Sequence, residues 1–389
     1  MSATSSGNSL LRGRAAIVGA GLGGVPMAPG RSPLEILAEA VHGALADAGL
    51  KLSDVDGLFT GSAYHFLAGL SVAEYLGLHP KFCEATMVGG SSYVGHLLTA
   101  AMALHTGQCE VALVCYGSNQ GSGHGKLKSM AETPPYEAPY APRYPISSYA
   151  FAAARHMHQY GTTREDLAHI AVAARQWAQR NPLAYARDPL SVEQVLAARM
   201  VSDPLSVLDC CLVTDGGGAL VLVRSERAKD FPKPPVYVLG AAAATWHRQI
   251  ASMPDLTVTA AAESGPRAFA MAGLKPNDVD VVELYDAFTI NTLLFLEDLG
   301  FCAKGEGGAF VRGGRIAPGG ELPVNTNGGG LSCCHPGMYG MFLLIEAVQQ
   351  LRGEAGARQV ADAQVALCHG NGGVLSSQVT ALLGTAATV

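Results

Sequence analysis

Short apolar runs alternate with longer runs of helical spacing in the first part of the chain. Four apolar runs have the length of buried strands: residues 15–18, 55–60, 84–88 and 111–115. A helix is predicted over residues 32–49, with Ser32 as its N-cap and Pro33 at its first position. A second helix is predicted over residues 93–106. Strands that alternate with helices of this length predict an α/β fold with a mainly parallel sheet covered by helices.

Three segments of the first half of the chain return in the same order in the second half. The matching pairs are residues 44–56 with 268–280, 89–92 with 329–332, and 111–115 with 365–368. We therefore predict a duplicated α/β unit over residues 10–230 and 231–389, with an insertion of about residues 119–205 in the first copy. The insertion begins with a Gly-rich and then Pro-rich stretch, residues 119–148. Such a stretch is typical of a lid, a binding loop or an interface segment.

A glycine motif follows the first predicted strand. Residues 19–24 match the GxGxxG pattern of dinucleotide sites, which requires the glycines to open a helix directly. Here Pro26 and Pro29 follow, and the helix starts only near Ser32. We therefore expect the strand to end at Val18 and turn into a loop, without a nucleotide site.

Composition narrows the function classes. The chain has 389 residues, with 49% hydrophobic residues, 15% charged residues and 47 glycines, which is typical of a tightly packed α/β protein. The net charge of −6 and the lack of a basic run make nucleic acid an unexpected partner. The nine cysteines include no CxxC pair, so we expect no structural zinc and a reducing cytoplasm. No long apolar run precedes Arg12, so we expect no signal peptide and no membrane span.

Polar side chains cluster where predicted strands end or helices begin. Four loops carry them, and we expect these loops to converge: residues 89–93, 285–288, 335–340 and 368–373. Tyr285 ends a buried strand and is either a proton donor or a core residue; Asp286 beside it either acts in the site or braces a loop. We place His335 and Tyr339 on the first turns of a helix opened by a glycine turn, and Tyr339 is there a pocket filler or a proton carrier.

Taken together, these motifs resemble the thiolase superfamily. The set comprises the duplication, Tyr-Asp-Ala-Phe at 285–288, Gly-Gly followed by His335-Pro336, and Cys368-His-Gly-Asn-Gly-Gly. The chain is most similar to the sterol-carrier-protein, or lipid-transfer-protein, branch, over nearly its whole length. The resemblance implies a thiolase fold: duplicated βαβαβαββ units in an α-β-α-β-α layering, with an inserted loop domain.

The sequence departs from this family where the nucleophile is expected. Thiolases carry a Cys at the start of the helix after the third strand, where a helix N-terminus favours a thiolate. Here that position is Gly90, so acyl-enzyme chemistry looks lost. Ser91 or Ser92 would be a replacement nucleophile without a base nearby, or simply an N-cap of the next helix. Tyr285 stands where the family has Asn or His.

The resemblance also implies roles for the remaining motif residues. His335 matches the active-site histidine that supports the oxyanion hole, and Cys368 matches a base position, although a buried inert thiol is the alternative. We expect Cys333 and Cys334 to pack rather than react. The predicted site is therefore as follows: catalytic Tyr285, Tyr339, His335, His369 and Cys368, and substrate-binding Gly90, Ser91, Asp286, Gly330 and Gly370.

A thioester cleft without a nucleophile suits retro-aldol cleavage of a 3-hydroxyacyl-CoA. The family members most similar in this respect are thiolase-like aldolases of steroid side-chain degradation, in which two tyrosines carry protons. We expect coenzyme A only as part of the substrate, no metal, a homodimer, and a small OB-fold and zinc-ribbon partner of the DUF35 type. The alternatives are a 3-ketoacyl-CoA thiolase with an atypical nucleophile such as Ser91, and a non-catalytic acyl-CoA or lipid-binding scaffold.

Overall fold

The structure is a computed structural model that describes residues 11–124, 133 and 135–389. Part of the Pro-rich stretch, residues 125–132 and 134, lies outside the described residues. The described strands are β1 Ala15–Gly23, β2 Gly57–Thr60, β3 Phe82–Ala85, β4 Val111–Ser118, β5 Met200–Ser202, β6 Leu205–Ser206, β7 Gly216–Arg224, β8 Val236–Thr245, β9 Val281–Leu284, β10 Val365–Gly372 and β11 Ser377–Gly384. The described α-helices are α1 Pro33–Ala48, α2 Ala68–Leu76, α3 Ser92–His105, α4 Ile146–Tyr160, α5 Arg164–Gln179, α6 Val192–Ala197, α7 Ala261–Ala272, α8 Thr289–Asp298, α9 Gly307–Val311 and α10 Gly340–Leu351.

Nine strands form one mixed sheet in the order β3-β2-β4-β7-β1-β8-β11-β10-β9. The outer pairs β2–β3, β2–β4 and β9–β10 are parallel, as the alternation of strands and helices predicts. The pairs in the middle of the sheet are antiparallel. The hairpin of β10 and β11 is one of them, and it needs no crossover helix because only the short segment between Gly372 and Ser377 joins its strands.

The two halves of the sheet follow the same strand pattern and enclose two helices. The first half runs β3-β2-β4-β7-β1, and the second runs β8-β11-β10-β9, with Val324 bridging Val282 beyond β9. Helices α3 and α10 contact strands of both halves, whereas α1 packs on β1, β4 and β7 and α7 on β8 and β11. The result is the α-β-α-β-α layering of the thiolase fold.

The glycine motif at residues 19–24 serves close packing between a strand and a helix. Strand β1 continues through Gly23, so the predicted turn after Val18 is wrong. A Cβ at Gly19, Gly21 or Gly23 would lie 2.2–2.4 Å from a main-chain oxygen of α1. Alternate residues of a strand face the same side, and glycine at each of them lets α1 sit directly on the sheet.

Other local predictions are confirmed or shifted by a few residues. Helix α1 begins after the Ser32 cap, whose side chain accepts from the Glu35 N–H, and it ends at Gly49 with φ 69°. Strand β3 ends at Ala85, so residues 86–90 form a loop instead of the predicted strand end. Within the described residues, no helix is long and apolar enough to cross a membrane.

The insertion supports the second half of the chain from outside. Helix α5 packs against the π-helical turn Gly329–Cys333. The Asn181 amide donates to the Asn327 carbonyl oxygen at 2.9 Å, and a Cβ at Gly328 (φ 104°) would lie 2.6 Å from the Ala178 Cβ. The insertion therefore holds the glycine turn that precedes His335.

The buried side chains of His96 and His369 make the stability of the protein depend on pH. Burial lowers the pKa of His96 and of His369 from 6.5 to about 4. The unfolded chain therefore binds more protons between pH 6.5 and 4, and stability is lost as the pH falls through this window. Each histidine should contribute a loss of about 2 kcal/mol between pH 7 and pH 5.

We expect His369→Gln to lower the unfolding temperature at pH 7 but to show a smaller further drop at pH 5 than the wild type. Calorimetric scans at the two pH values check this. An unchanged pH dependence in the variant would contradict the lowered pKa of His369.

Candidate active site

A cavity of about 540 Å³ opens where loops of both halves of the chain meet. Its volume is typical of sites for small molecules. Each of the four loops predicted to converge contributes to its wall. The lining residues from these loops are Gly89, Gly90, Tyr285, Ala287, Phe288, His335, Gly337, Met338, Asn371, Gly372 and Gly373.

Tyr285 is the centre of the polar contacts in this cavity. Its hydroxyl lies 3.1 Å from the His335 Nε2 and donates to the Gly337 carbonyl oxygen at 3.0 Å. The hydroxyl also accepts from the main-chain N–H of Tyr339 at 3.2 Å. Burial raises the pKa of Tyr285 well above its usual value. The phenol is therefore protonated at neutral pH and held by three partners.

The ring of Tyr285 occupies the space beside Gly90. A Cβ at residue 90 would lie 2.0 Å from the Tyr285 Cε2 and 2.6 Å from its hydroxyl oxygen. Real side chains do not approach so closely, so any larger residue at position 90 would displace the ring. Gly90 and Tyr285 therefore depend on each other: the tyrosine fills the place into which a side chain of residue 90 would point.

His335 lies in an extended segment before helix α10, not on the helix. The π-helical turn ends at Cys333 and α10 begins at Gly340, so the predicted placement of His335 and Tyr339 on the first helical turns is wrong. The His335 N–H donates to the Thr214 Oγ1 at 2.9 Å. Burial lowers the pKa of His335 to about 4, so its imidazole is neutral at pH 7.

Tyr339 lies behind the cavity wall. It is the N-cap residue of α10 and is fully buried. Its hydroxyl donates to the Asn327 Oδ1 at 2.9 Å, and its ring stacks near the His335 ring at 6.1 Å between centroids. Tyr339 thus reaches Tyr285 through its main-chain N–H, while its hydroxyl points to the glycine turn.

Asp286 braces that turn. Its Oδ1 accepts from the Gly330 N–H at 2.6 Å and its Oδ2 from the Leu331 N–H at 3.3 Å. A Cβ at Gly329 would lie 2.0 Å from the Asp286 Oδ2, so only glycine fits there. Burial raises the pKa of Asp286 to about 7 in spite of these donors. Of the two roles predicted for Asp286, the contacts favour bracing of the loop, and Gly330, which is predicted to bind substrate, is one of the residues that Asp286 holds.

Four further predicted site residues lie outside the cavity wall. The Cys368 thiol donates to the Leu343 carbonyl oxygen at 3.5 Å, and His369 lies between Thr380 and Gln378 at 2.9 and 2.8 Å. The other two, Gly370 and Ser91, pack against each other at the start of α3.

Neither serine caps α3 through its side chain in the predicted way. The Ser91 Oγ lies 3.3 Å from the Val88 carbonyl oxygen and 3.0 Å from the Ser377 Oγ, and its one proton serves one of these bonds at a time. Ser92 is the first residue of α3, and its Oγ accepts from the Val88 N–H at 2.9 Å. Both hydroxyls therefore hold the loop before the helix.

Sequence reasoning missed several residues that line or support the cavity. Tyr116 lies near the end of β4, donates to the Pro336 carbonyl oxygen and accepts from the Met338 N–H at 3.2 Å, so it holds the His335 loop. Asn371 donates to the Tyr149 hydroxyl at 3.0 Å. Tyr116 could have been predicted, because polar residues near strand ends mark such sites. Tyr149 could not, because it lies within helix α4 of the insertion.

The described residues form no group of three or more His, Cys, Asp or Glu side chains that would hold a metal ion. The polar groups of the cavity include the Tyr285 phenol, the His335 imidazole, the Asn371 carboxamide and main-chain groups. These groups can donate hydrogen bonds and transfer protons. They suit a reaction in which charge develops on oxygen.

Known proteins resemble the chain over nearly its full length. Residues 242–385 match the thiolase C-terminal domain-like family. A steroid side-chain-cleaving aldolase of Thermomonospora curvata is 38% identical, over 89% of this chain and 92% of that protein. An acetyl-CoA acetyltransferase of Methanothermobacter thermautotrophicus is 36% identical, over 87% of this chain and 91% of that protein.

A solved structure agrees with these relatives. The Ltp2-ChsH2(DUF35) aldolase superposes with a TM-score of 0.88 at 36% identity, covering 96% of this chain and 98% of that chain. The fold, the position of the cavity and these similarities together show that the chain belongs to the thiolase superfamily, in the branch that includes the steroid side-chain-cleaving aldolases and lacks the nucleophilic cysteine.

Proposed function

We propose that the chain cleaves the C2–C3 bond of a 3-hydroxyacyl-CoA by a retro-aldol reaction. The products are a ketone or aldehyde and a shortened acyl-CoA, and a steroid side-chain ester is the proposed substrate class. The similarity to a steroid side-chain-cleaving aldolase supports this assignment. The observation that carries it is the Tyr285 ring, which stands beside Gly90 where a nucleophile would project and presents its phenol to the cavity.

The proposed proton path runs through Tyr285 and His335. The Tyr285 O–H turns from the Gly337 carbonyl oxygen to the neutral His335 Nε2, 3.1 Å away, and passes its proton to that nitrogen while the Tyr285 oxygen takes the proton of the substrate 3-hydroxyl group. The C2–C3 bond then breaks, its electron pair forms the enolate of the acyl-CoA, and C3 becomes a carbonyl carbon. Return of one proton to C2 completes the reaction, so protons balance without an added base.

Tyr339 is proposed to assist from behind the wall. Its main-chain N–H holds the Tyr285 oxygen in place, and its hydroxyl fixes Asn327 in the glycine turn. We therefore propose direct proton transfer by Tyr285 and a positioning role for Tyr339, whereas the family resemblance implies that both tyrosines carry protons. Cys368 and His369 are proposed to support β10 and not to contact substrate.

Partners and location are proposed from the relatives and the surface. The similar aldolase structure includes a DUF35 protein, and we propose such a partner here. A homodimer is proposed at the edge strand β3, near which Phe66, Leu70 and Met87 are exposed.

Coenzyme A is proposed to enter only as part of the substrate. The described cysteines are all free, which fits the proposed cytoplasmic location.

A second candidate function is thiolase chemistry with an atypical nucleophile. The similarity to an acetyl-CoA acetyltransferase favours it. Ser91 is the candidate, but its hydroxyl is fully buried and bonded to Val88 and Ser377. A non-catalytic acyl-CoA or lipid-binding scaffold is the third possibility.

We expect the purified protein to release a ketone from a 3-hydroxyacyl-CoA without free CoA. The same protein should leave a 3-ketoacyl-CoA with free CoA intact, because position 90 offers no nucleophile. Both reactions are followed by chromatography of the CoA esters, with and without a DUF35 partner. CoA-dependent cleavage of the ketoacyl ester would support the thiolase, and binding without either reaction would support the scaffold.

Tyr285→Phe should lower kcat for retro-aldol cleavage by about 100-fold or more, because it removes the proposed proton carrier. Tyr339→Phe keeps the main-chain N–H and should lower kcat by less than about 10-fold. Circular dichroism and unfolding temperature check that both variants fold. Equal losses would assign proton transfer to the Tyr339 hydroxyl as well, and full activity of Tyr285→Phe would remove Tyr285 from the mechanism.

Gly90→Ala should lower kcat by about 100-fold, because the added Cβ displaces the Tyr285 ring from His335. Gly95→Ala is the matched control. It lies in the same helix region, and its Cβ would meet its nearest atom at 3.9 Å. Steady-state kinetics of both variants check the prediction, and unchanged turnover of Gly90→Ala would show that the contact with Tyr285 is dispensable.

A further inference from the structure

One wall of the cavity is polar and has no task in the proton path. Tyr64, Tyr116, Gln120 and Tyr144 from the first half of the chain line it. Tyr116 has its hydroxyl bonded to the His335 loop. The Gln120 Nε2 and the Tyr144 hydroxyl are both buried and have no hydrogen-bond partner among the described residues, and of these two groups only the amide nitrogen is purely a donor.

The position of the Gln120 side chain is fixed by its other contacts. The residue is 2% exposed. Its Oε1 accepts from the Tyr64 hydroxyl at 3.3 Å, and its N–H donates to the Ser118 Oγ at 3.2 Å. Ser118 in turn lies 2.8 Å from the Tyr64 hydroxyl. With the amide oxygen bound in this triangle, the amide nitrogen of this cavity-lining residue is the donor left without a partner.

Leaving such a donor unpaired costs about 1–3 kcal/mol. Buried polar groups in native proteins are therefore nearly always paired, and the exceptions are often functional. Gln120 lines the substrate cavity, so substrate is the natural source of the missing acceptor. The acceptor must be an oxygen atom, because a hydrocarbon would leave the amide as unpaired as it is now.

The Gln120 amide lies close to the reacting centre. A Cβ at Gly337 would lie 2.8 Å from the Gln120 Oε1, and the carbonyl oxygen of the same Gly337 accepts from the Tyr285 hydroxyl. One residue thus separates the amide from the proposed proton carrier. A substrate whose C3 hydroxyl contacts Tyr285 would place an atom a few bonds from C3 at Gln120.

We propose that the Gln120 amide donates a hydrogen bond to an oxygen on the departing carbonyl fragment, next to C3. The enzyme then prefers 3-hydroxyacyl-CoA substrates whose departing half carries a hydroxyl or keto oxygen there. This inference rests on the proposed retro-aldol function. We assign the departing half to this wall and the thioester to the cavity residues of the second half, which include Arg248, Ser376 and Ser377.

The test uses two thioesters that share the acyl-CoA half. In both, C3 belongs to a cyclopentane ring. The first ester has a hydroxyl group on the ring carbon next to C3 and is prepared as both epimers. The second ester, the plain ring, has no hydroxyl group at that carbon. Wild-type kcat/KM should be about 10-fold higher for one hydroxylated epimer. Gln120→Leu should remove this preference and change kcat/KM for the plain ring by less than about 3-fold.

Two further variants separate hydrogen bonding from shape. Gln120→Glu keeps the shape but replaces the donor with an acceptor, so it should lose at least as much on the hydroxylated ester as Gln120→Leu. Tyr64→Phe frees the amide oxygen of Gln120. It should lower kcat/KM for the hydroxylated ester to a value between those of the wild type and Gln120→Leu, mainly through a higher KM. Unfolding temperatures check that the variants fold.

Binding separates failure of this inference from failure of the proposed function. Affinities for both esters are measured by titration calorimetry in the Tyr285→Phe background, where turnover is slow. Tighter binding of a hydroxylated epimer that Gln120→Leu abolishes supports the subsite even if the wild type cleaves neither ester. No preference in binding or turnover, or equal losses on both esters in Gln120→Leu, overturns it.

Discussion

The close contact between the Tyr285 ring and Gly90 is the constraint on which the rest of the site depends. The two cannot both carry large side chains, since a Cβ at residue 90 would meet the ring at 2.0 Å. The phenol in that space is bonded to His335 and Gly337, so the ring has little freedom. One exchange of volume between neighbouring loops thus leaves residue 90 without a nucleophilic side chain and places a phenol in the cavity.

The surrounding structure keeps this pair in place. Asp286 holds the glycine turn before His335, and Tyr116 holds the loop after it. Helix α5 of the insertion closes the turn from outside. Burial keeps His335 neutral and Tyr285 protonated, the states that the proposed proton path requires. The reaction needs no charged group in the cavity before substrate binds.

Much of the fold was predictable from periodicity, but the details of the site were not. Helix α1 with its Ser32 cap follows from local chemistry, and the sheet order supports the predicted duplication, which stays a prediction. The turn predicted at the glycines of β1 is wrong because these glycines allow a helix to pack across the strand. That packing is a tertiary contact, which the local sequence does not reveal. His335 was misplaced because a π-helical turn has no distinct periodicity. Tyr149 and Gln120 were missed because the insertion brings them to the cavity from distant positions.

The proposed cleavage differs from thiolase chemistry in forming no covalent acyl-enzyme. Mass spectrometry of the intact protein, acid-quenched within the first turnovers of a 3-hydroxyacyl-CoA, tests this difference. We expect an unmodified protein mass while ketone and acyl-CoA appear in equal amounts. A mass increase by the acyl group, located by peptide mapping to the segment containing Gly90, Ser91 and Ser92, would contradict it.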